Sequence, residues 1–88
     1  MGAKTSFASS VTDWTLIADG AVYQSVGVYN RDEEQIAIAI AAAAPASNDD
    51  NYFKLPNEGF NTTLAATDKL YAKAMNGSAT VRGFREAV

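Results

Sequence analysis

The stretch IAIAIAAAAP, residues 36–45, constrains the fold more than any other part of the chain. Ile36, Ile38 and Ile40 recur at every second position. That spacing scatters side chains around a helix but aligns them on one face of a strand. β-Branched isoleucine also suits a pleated surface. A helix has support of its own. Asn30 would serve as an N-cap ahead of Asp32, Glu33 and Glu34, and alanine is the best helix former. The two-residue period decides for a strand, entered through an acidic turn and ended by Pro45.

The other face of that strand carries Ala37, Ala39 and Ala41, where a solvated strand would carry Thr, Lys or Glu. Small apolar side chains permit close approach of another backbone or sheet. Either the strand is central and covered on both sides by its own fold, or the alanine face meets a neighbouring subunit. The second alternative gains weight from size. A chain of 88 residues forms one domain. It has few layers with which to cover both faces, and it buries only about 60–65% of its unfolded surface. Domains this small usually add a staple. Cys and His are both absent, which removes disulfides, thiolate metal sites and the commonest metal ligand. Oligomerisation remains, and no cofactor is expected.

The net charge is −3, and the basic residues are scattered, with Arg82 and Arg85 the tightest group. No basic stripe follows a phosphate backbone, so nucleic-acid binding is not expected. The uncharged run 36–48 holds a proline and too few apolar residues to span a bilayer, so no membrane partner is expected. The start, MGAKTSFASS, lacks the apolar core of a signal peptide, so nothing is expected to direct the chain out of the cytoplasm where it is made. Gly2 and Ser6 fit a myristoylation pattern, and NTT (61–63) and NGS (76–78) fit glycosylation sequons. Patterns this short recur by chance, and the two sequons read better as strand and turn chemistry.

Residues 1–10 are small and polar apart from Phe7, and read as an extended N-terminal arm ahead of a single β domain, 11–88. VTDWTLIAD reads as a strand anchored by Trp14, and Asp19-Gly20 as a turn. AVYQSVGVYN alternates Val22, Gln24, Val26 and Val28 against Tyr23, Ser25 and Tyr29, with Gly27 as a possible bulge. PASNDDN is a loop, YFKL and FNTTL are short strands, and PNEG between them is a turn. LYAKAM and SATVRGF flank Asn76-Gly77, which predicts a type I′ hairpin pairing Ala74 with Ala79, Ala72 with Val81 and Leu70 with Gly83. Tyr71 would then face Arg82. LAATDKLYAKAM competes as a helix but fits less well beside the Asn-Gly turn. About seven short antiparallel strands imply an all-β fold, a compact β-sandwich or small barrel.

Chemistry is hard to find. Without His there is no Ser-His-Asp or Cys-His scheme, and no P-loop or dinucleotide fingerprint occurs. Asp32, Glu33, Glu34 and the pair Asp49, Asp50 fall in expected turns, where carboxylates are solvated rather than poised across a cleft. SNDDN with Glu58 offers oxygen ligands but not EF-hand spacing. No catalytic residue, metal site or enzymatic activity is expected. Most aromatics should fill the core. Tyr29, Tyr52 and Tyr71 are the candidates for an exposed cluster that would recognise a glycan.

The pieces IAIAIAAAAPASNDDNYFKLPNEGF and DKLYAKAMNGSATVRGFREA, in a chain rich in Ala, Thr, Ser, Asn and Gly, resemble small virion structural proteins of tailed bacteriophages. The resemblance spans about residues 14–86 and is one of composition and pattern, without a signature motif. It implies a capsid decoration, or cement, protein. Such a protein binds the major capsid protein or another virion protein on the outer head, and is made in the host cytoplasm. A head-fibre or tail-associated component is its near neighbour, and a glycan-binding module for host attachment is the alternative. Under the decoration reading Phe7 of the arm and Ala37, Ala39 and Ala41 are the candidate assembly contacts, in a homo-oligomer.

Overall fold

The alternating isoleucines form a strand as their period predicts, with Ile36 and Ile38 fully buried. In the computed structural model, residues 3–30 and 35–88 are described. Among them the chain forms eight strands and no helix: β1 (Lys4–Val11), β2 (Thr15–Asp19), β3 (Tyr23–Tyr29), β4 (Ile36–Ala41), β5 (Phe53–Lys54), β6 (Phe60–Thr63), β7 (Lys69–Ala74) and β8 (Ala79–Ala87). They pair antiparallel in two four-stranded sheets, ordered β1-β8-β3-β6 and β2-β7-β4-β5. The result is the expected small β-sandwich.

The first sheet turns Val11, Val26, Val28 and Val81 inward, and the second turns Ile17, Ile36, Ile38 and Leu70 to meet them. Leu55 and Leu64 plug the core from loops, each tied to a strand by its amide: Leu55 to the Ile36 carbonyl and Leu64 to that of Gln24. Each such side chain contributes about 1.5–3 kcal/mol by leaving water. With no disulfide in the chain, apolar burial between the sheets is the main term holding them together.

Four sequence readings change. Residues 4–10 of the expected arm are extended, but they belong to the sheet, as β1 along the whole of β8. VTDWTLIAD is broken at Thr12–Trp14, so Val11 ends β1 in one sheet and Thr15 starts β2 in the other. Asn76-Gly77 is a turn, with Gly77 at φ +70°, but β7 and β8 do not pair. Leu70, Ala72 and Ala74 sit beside β4, while Ala79, Val81 and Gly83 sit beside β1. Tyr71 faces Leu16 and Ala39, and Arg82 faces Ala8 and Tyr29. Finally, the β3 irregularity lies between Tyr23 and Ser25, not at Gly27. A Cβ on Gly27 would fall 2.4 Å from the Phe84 ring, so glycine there gives the ring its place across the strand. The acidic residues Asp32, Glu33 and Glu34 lie outside the described residues.

Candidate assembly edge

A sandwich of two open sheets has four edge strands, and each exposes a row of backbone donors and acceptors. Three of the four offer little to a neighbour. β5 has two residues and β6 four, and β2 is interrupted by a bulge at Ile17. β1 is different. It runs eight residues, KTSFASSV, with regular register along β8, no proline and Lys4 as its one charge. Native edges are usually shortened, charged, kinked or covered. Apart from Lys4 at its start, nothing among the described residues does this to β1.

The direction of its free groups follows from the ladder. The Ala87 amide donates to the Ala3 carbonyl at 2.9 Å, and Ala3 stands opposite Ala87 in the register. In an antiparallel pair, hydrogen-bonded and non-bonded positions alternate. Thr5, Phe7, Ser9 and Val11 therefore bond to β8. Lys4, Ser6, Ala8 and Ser10 turn their N–H and C=O groups to the open edge. The same alternation sends the even residues of β8 towards β3, in accord with the 2.9 Å bond from the Val88 amide to the Val22 carbonyl.

Phe7 is half-buried and packs against the core. Its ring lies 4.5 Å from the Arg85 guanidinium, whose other ring neighbour is Tyr23 at 4.8 Å. Arg85 also donates to the Ile17 carbonyl at 2.8 Å, linking the sheets, while its buried Nε has no hydrogen-bond partner among the described residues. Phe7 is thus a rim residue of the sandwich, at the middle of the open edge.

The alanine face is covered by the chain itself. Ala37 is 1% and Ala39 5% exposed, and Ala41 is half-buried. Opposite them on β7 stand Lys73, Tyr71 and Lys69. Lys69 donates to the Ala42 carbonyl at 3.2 Å and Lys73 to the Ser47 carbonyl. Trp14 donates from Nε1 to the Ala46 carbonyl at 3.1 Å and meets Tyr52 edge-on at 5.9 Å. These clamps hold residues 42–52 down as a lid, and the small alanines leave room for it. Ser47 donates to the Asp13 carboxylate at 2.5 Å. That bond, the Trp14 amide and the Lys73 charge hold the Asp13 carboxyl below its ordinary value of 3.8. Sequence reasoning missed the lid. Its one signal was the facing of large Lys69, Tyr71 and Lys73 against small Ala41, Ala39 and Ala37.

The three tyrosines do not gather. Tyr29 lies on the outer face of the first sheet, Tyr52 on the lid beside Trp14, and Tyr71 is 6% exposed beneath it. The outer face of the first sheet does hold a hollow of about 420 Å³, lined by Lys4, Ser25, Asn61, Thr63 and Phe84 among others. Lys4 Nζ sits 5.1 Å over the Phe84 ring. Asp49, one of the loop carboxylates, accepts the Asn51 amide at 2.9 Å, a local turn. Set against known protein families, curated proteins and solved structures, the chain matches none.

Proposed function

We propose that this chain is a non-enzymatic structural protein that works as a subunit of a larger assembly, of the capsid-decoration kind, by completing its β1 edge with a neighbouring strand. The observation that carries the reading is the eight-residue β1, uncharged beyond Lys4 and, among the described residues, open along one side. Strand addition suits a decoration role: main-chain bonds supply affinity without any moving part or reacting group. The virion setting rests on the resemblance of 36–60 and 68–87 to phage structural proteins. The glycan-binding alternative loses support, because Tyr29, Tyr52 and Tyr71 lie apart.

The test is a density gradient of a lysate from cells that make the protein, probed with an antibody to it. Co-banding with particles, lost in Ser6→Pro, is the expected result. The Ser6 amide points to the open edge, so proline there removes a free donor and leaves the β8 ladder whole. A chain found only in the low-density soluble fraction overturns the reading.

A further inference from the structure

We infer that the strand completing β1 comes from a second copy of this chain, paired antiparallel about a two-fold axis that passes beside Phe7. The inference rests on the reading of β1 as an assembly edge and names its occupant.

A two-fold axis places residues whose numbers add to a constant opposite one another. The outward groups belong to Lys4, Ser6, Ala8 and Ser10. With the axis at Phe7, Lys4 faces Ser10 of the second copy and Ser6 faces Ala8, so all four outward residues are matched. With the axis at Ser6 or Ala8, one end of the set is left without a partner. The Phe7 register also resolves the charge. Lys4 is the one charged residue of β1, and it meets a serine rather than another lysine. Like charges directly opposite would repel.

The side chains agree with the backbone. Phe7 faces Phe7 at a non-bonded position, where opposed side chains come closest. Two half-buried rings, each already backed by its Arg85, would continue the inner apolar layer across the junction. Thr5 faces Ser9 on either side, a favourable hydroxyl pair. The product is one eight-stranded sheet, ordered β6-β3-β8-β1-β1-β8-β3-β6. It has no long open edge left, and it supplies the staple that a short chain without cysteine lacks.

The absence of native cysteine makes the register directly readable. Ser6 and Ala8 are both exposed in the single chain, so Ser6→Cys and Ala8→Cys should fold. Light scattering of the purified wild-type chain should give twice the chain mass, and Ser6→Pro should give the single mass with unchanged far-UV circular dichroism. Under mild oxidation an equimolar mixture of the two cysteine variants should form a covalent dimer at least tenfold faster than either alone. A monomeric wild type overturns the inference. So does a dimer indifferent to Ser6→Pro, or one in which Ser6→Cys alone cross-links as fast as the mixture. Particle co-banding by a chain that is monomeric when purified would discard the second copy and keep the structural role.

Discussion

Replacing Ala39 by Glu sets two costs against each other. Ala39 is 5% exposed and faces Tyr71, itself 6% exposed, beneath the lid formed by 42–52. Keeping the lid closed would bury an unpaired carboxylate, which costs several kcal/mol, and would overpack the site by about 1–3 kcal/mol more. Opening the lid costs its clamps. These are the bonds from Trp14, Lys69 and Lys73 to lid carbonyls, the Trp14–Tyr52 ring contact and the Ser47–Asp13 bond. At about 1 kcal/mol each in the interior the first four would sum to about 4, but the Trp14 and lysine bonds are exposed, so about 2–3 kcal/mol is realistic, and the fully exposed Asp13 bond adds little. Opening is the cheaper response, and it caps the damage.

The Ala39→Glu variant should therefore lose about 2–3 kcal/mol, a fall in melting temperature of roughly 8–24 °C for a domain of this size. It should stay folded, because the face lies outside the core between the sheets. Trp14 is the only tryptophan, so its fluorescence reports the lid alone. Its emission should shift to the red in the native variant, as Tyr52 and the lid move off it. Ala39→Ser, nearly the same size, should do neither. An unchanged melting temperature with unchanged emission would mean that the alanine face is not covered as described. A fall in native mass, from oligomer to monomer, without any change at Trp14 would return the face to a subunit contact.

The Asp13–Ser47 bond ties the middle of the lid to the turn before β2, and it favours the ionised carboxylate. Its contribution is complete above the ordinary value of 3.8 and is lost as pH falls through the lowered folded value. Trp14 emission should hold steady from neutral pH to about that value and change below it, and Asp13→Asn should abolish the step. Two strand glycines should differ sharply. A Cβ on Gly83 would lie 1.8 Å from the Gly27 carbonyl oxygen, which is backbone and cannot turn away, so Gly83→Ala should push β8 off β3 and cost about 3 kcal/mol in urea titration. At Gly27 the obstacles are the ends of the Phe84 and Asn61 side chains, which can rotate, so Gly27→Ala should cost about 1 kcal/mol or less. Equal losses at the two sites would contradict this account.

The inward face of each strand was legible because burial imposes a period of two wherever one side meets the core. Ile36 and Ile38, Val26 and Val28, Leu70 and Ala72 all point as their spacing required. What covers the outward face was not legible. Ala37 and Ala39 announced a close neighbour, and nothing in their own spacing said whether it would be a loop or a subunit. The loop became visible only through Trp14, Lys69 and Lys73, which bond to its carbonyls; carbonyls are the same at every residue and leave no mark in the sequence. β1 was hidden for a related reason. KTSFASSV has only Phe7 and Val11 as sizeable apolar residues, too few to show a period, and it is a strand because β8 supplies a ladder for it.

The Asn76-Gly77 turn shows why pairing is harder to read than direction. Ala74 and Ala79 face the core in the hairpin and in the sandwich alike, since both arrangements keep the same residues inward. Local turn chemistry favours the hairpin. The sandwich wins on the number of neighbours. Crossing between the sheets places β7 between β2 and β4, and β8 between β1 and β3, so both strands are central. As neighbours in one sheet, each would give up one of its present partners to the other. Small side chains at 74 and 79 let the chain turn the corner without crowding the core. The same crossing recurs at every connection except β4 to β5, so the two sheets are threaded together along the whole chain. That threading spends nearly every strand on holding the sandwich closed. It leaves β1, paired on one side only and long enough to matter, as the place where the fold can be extended by another chain.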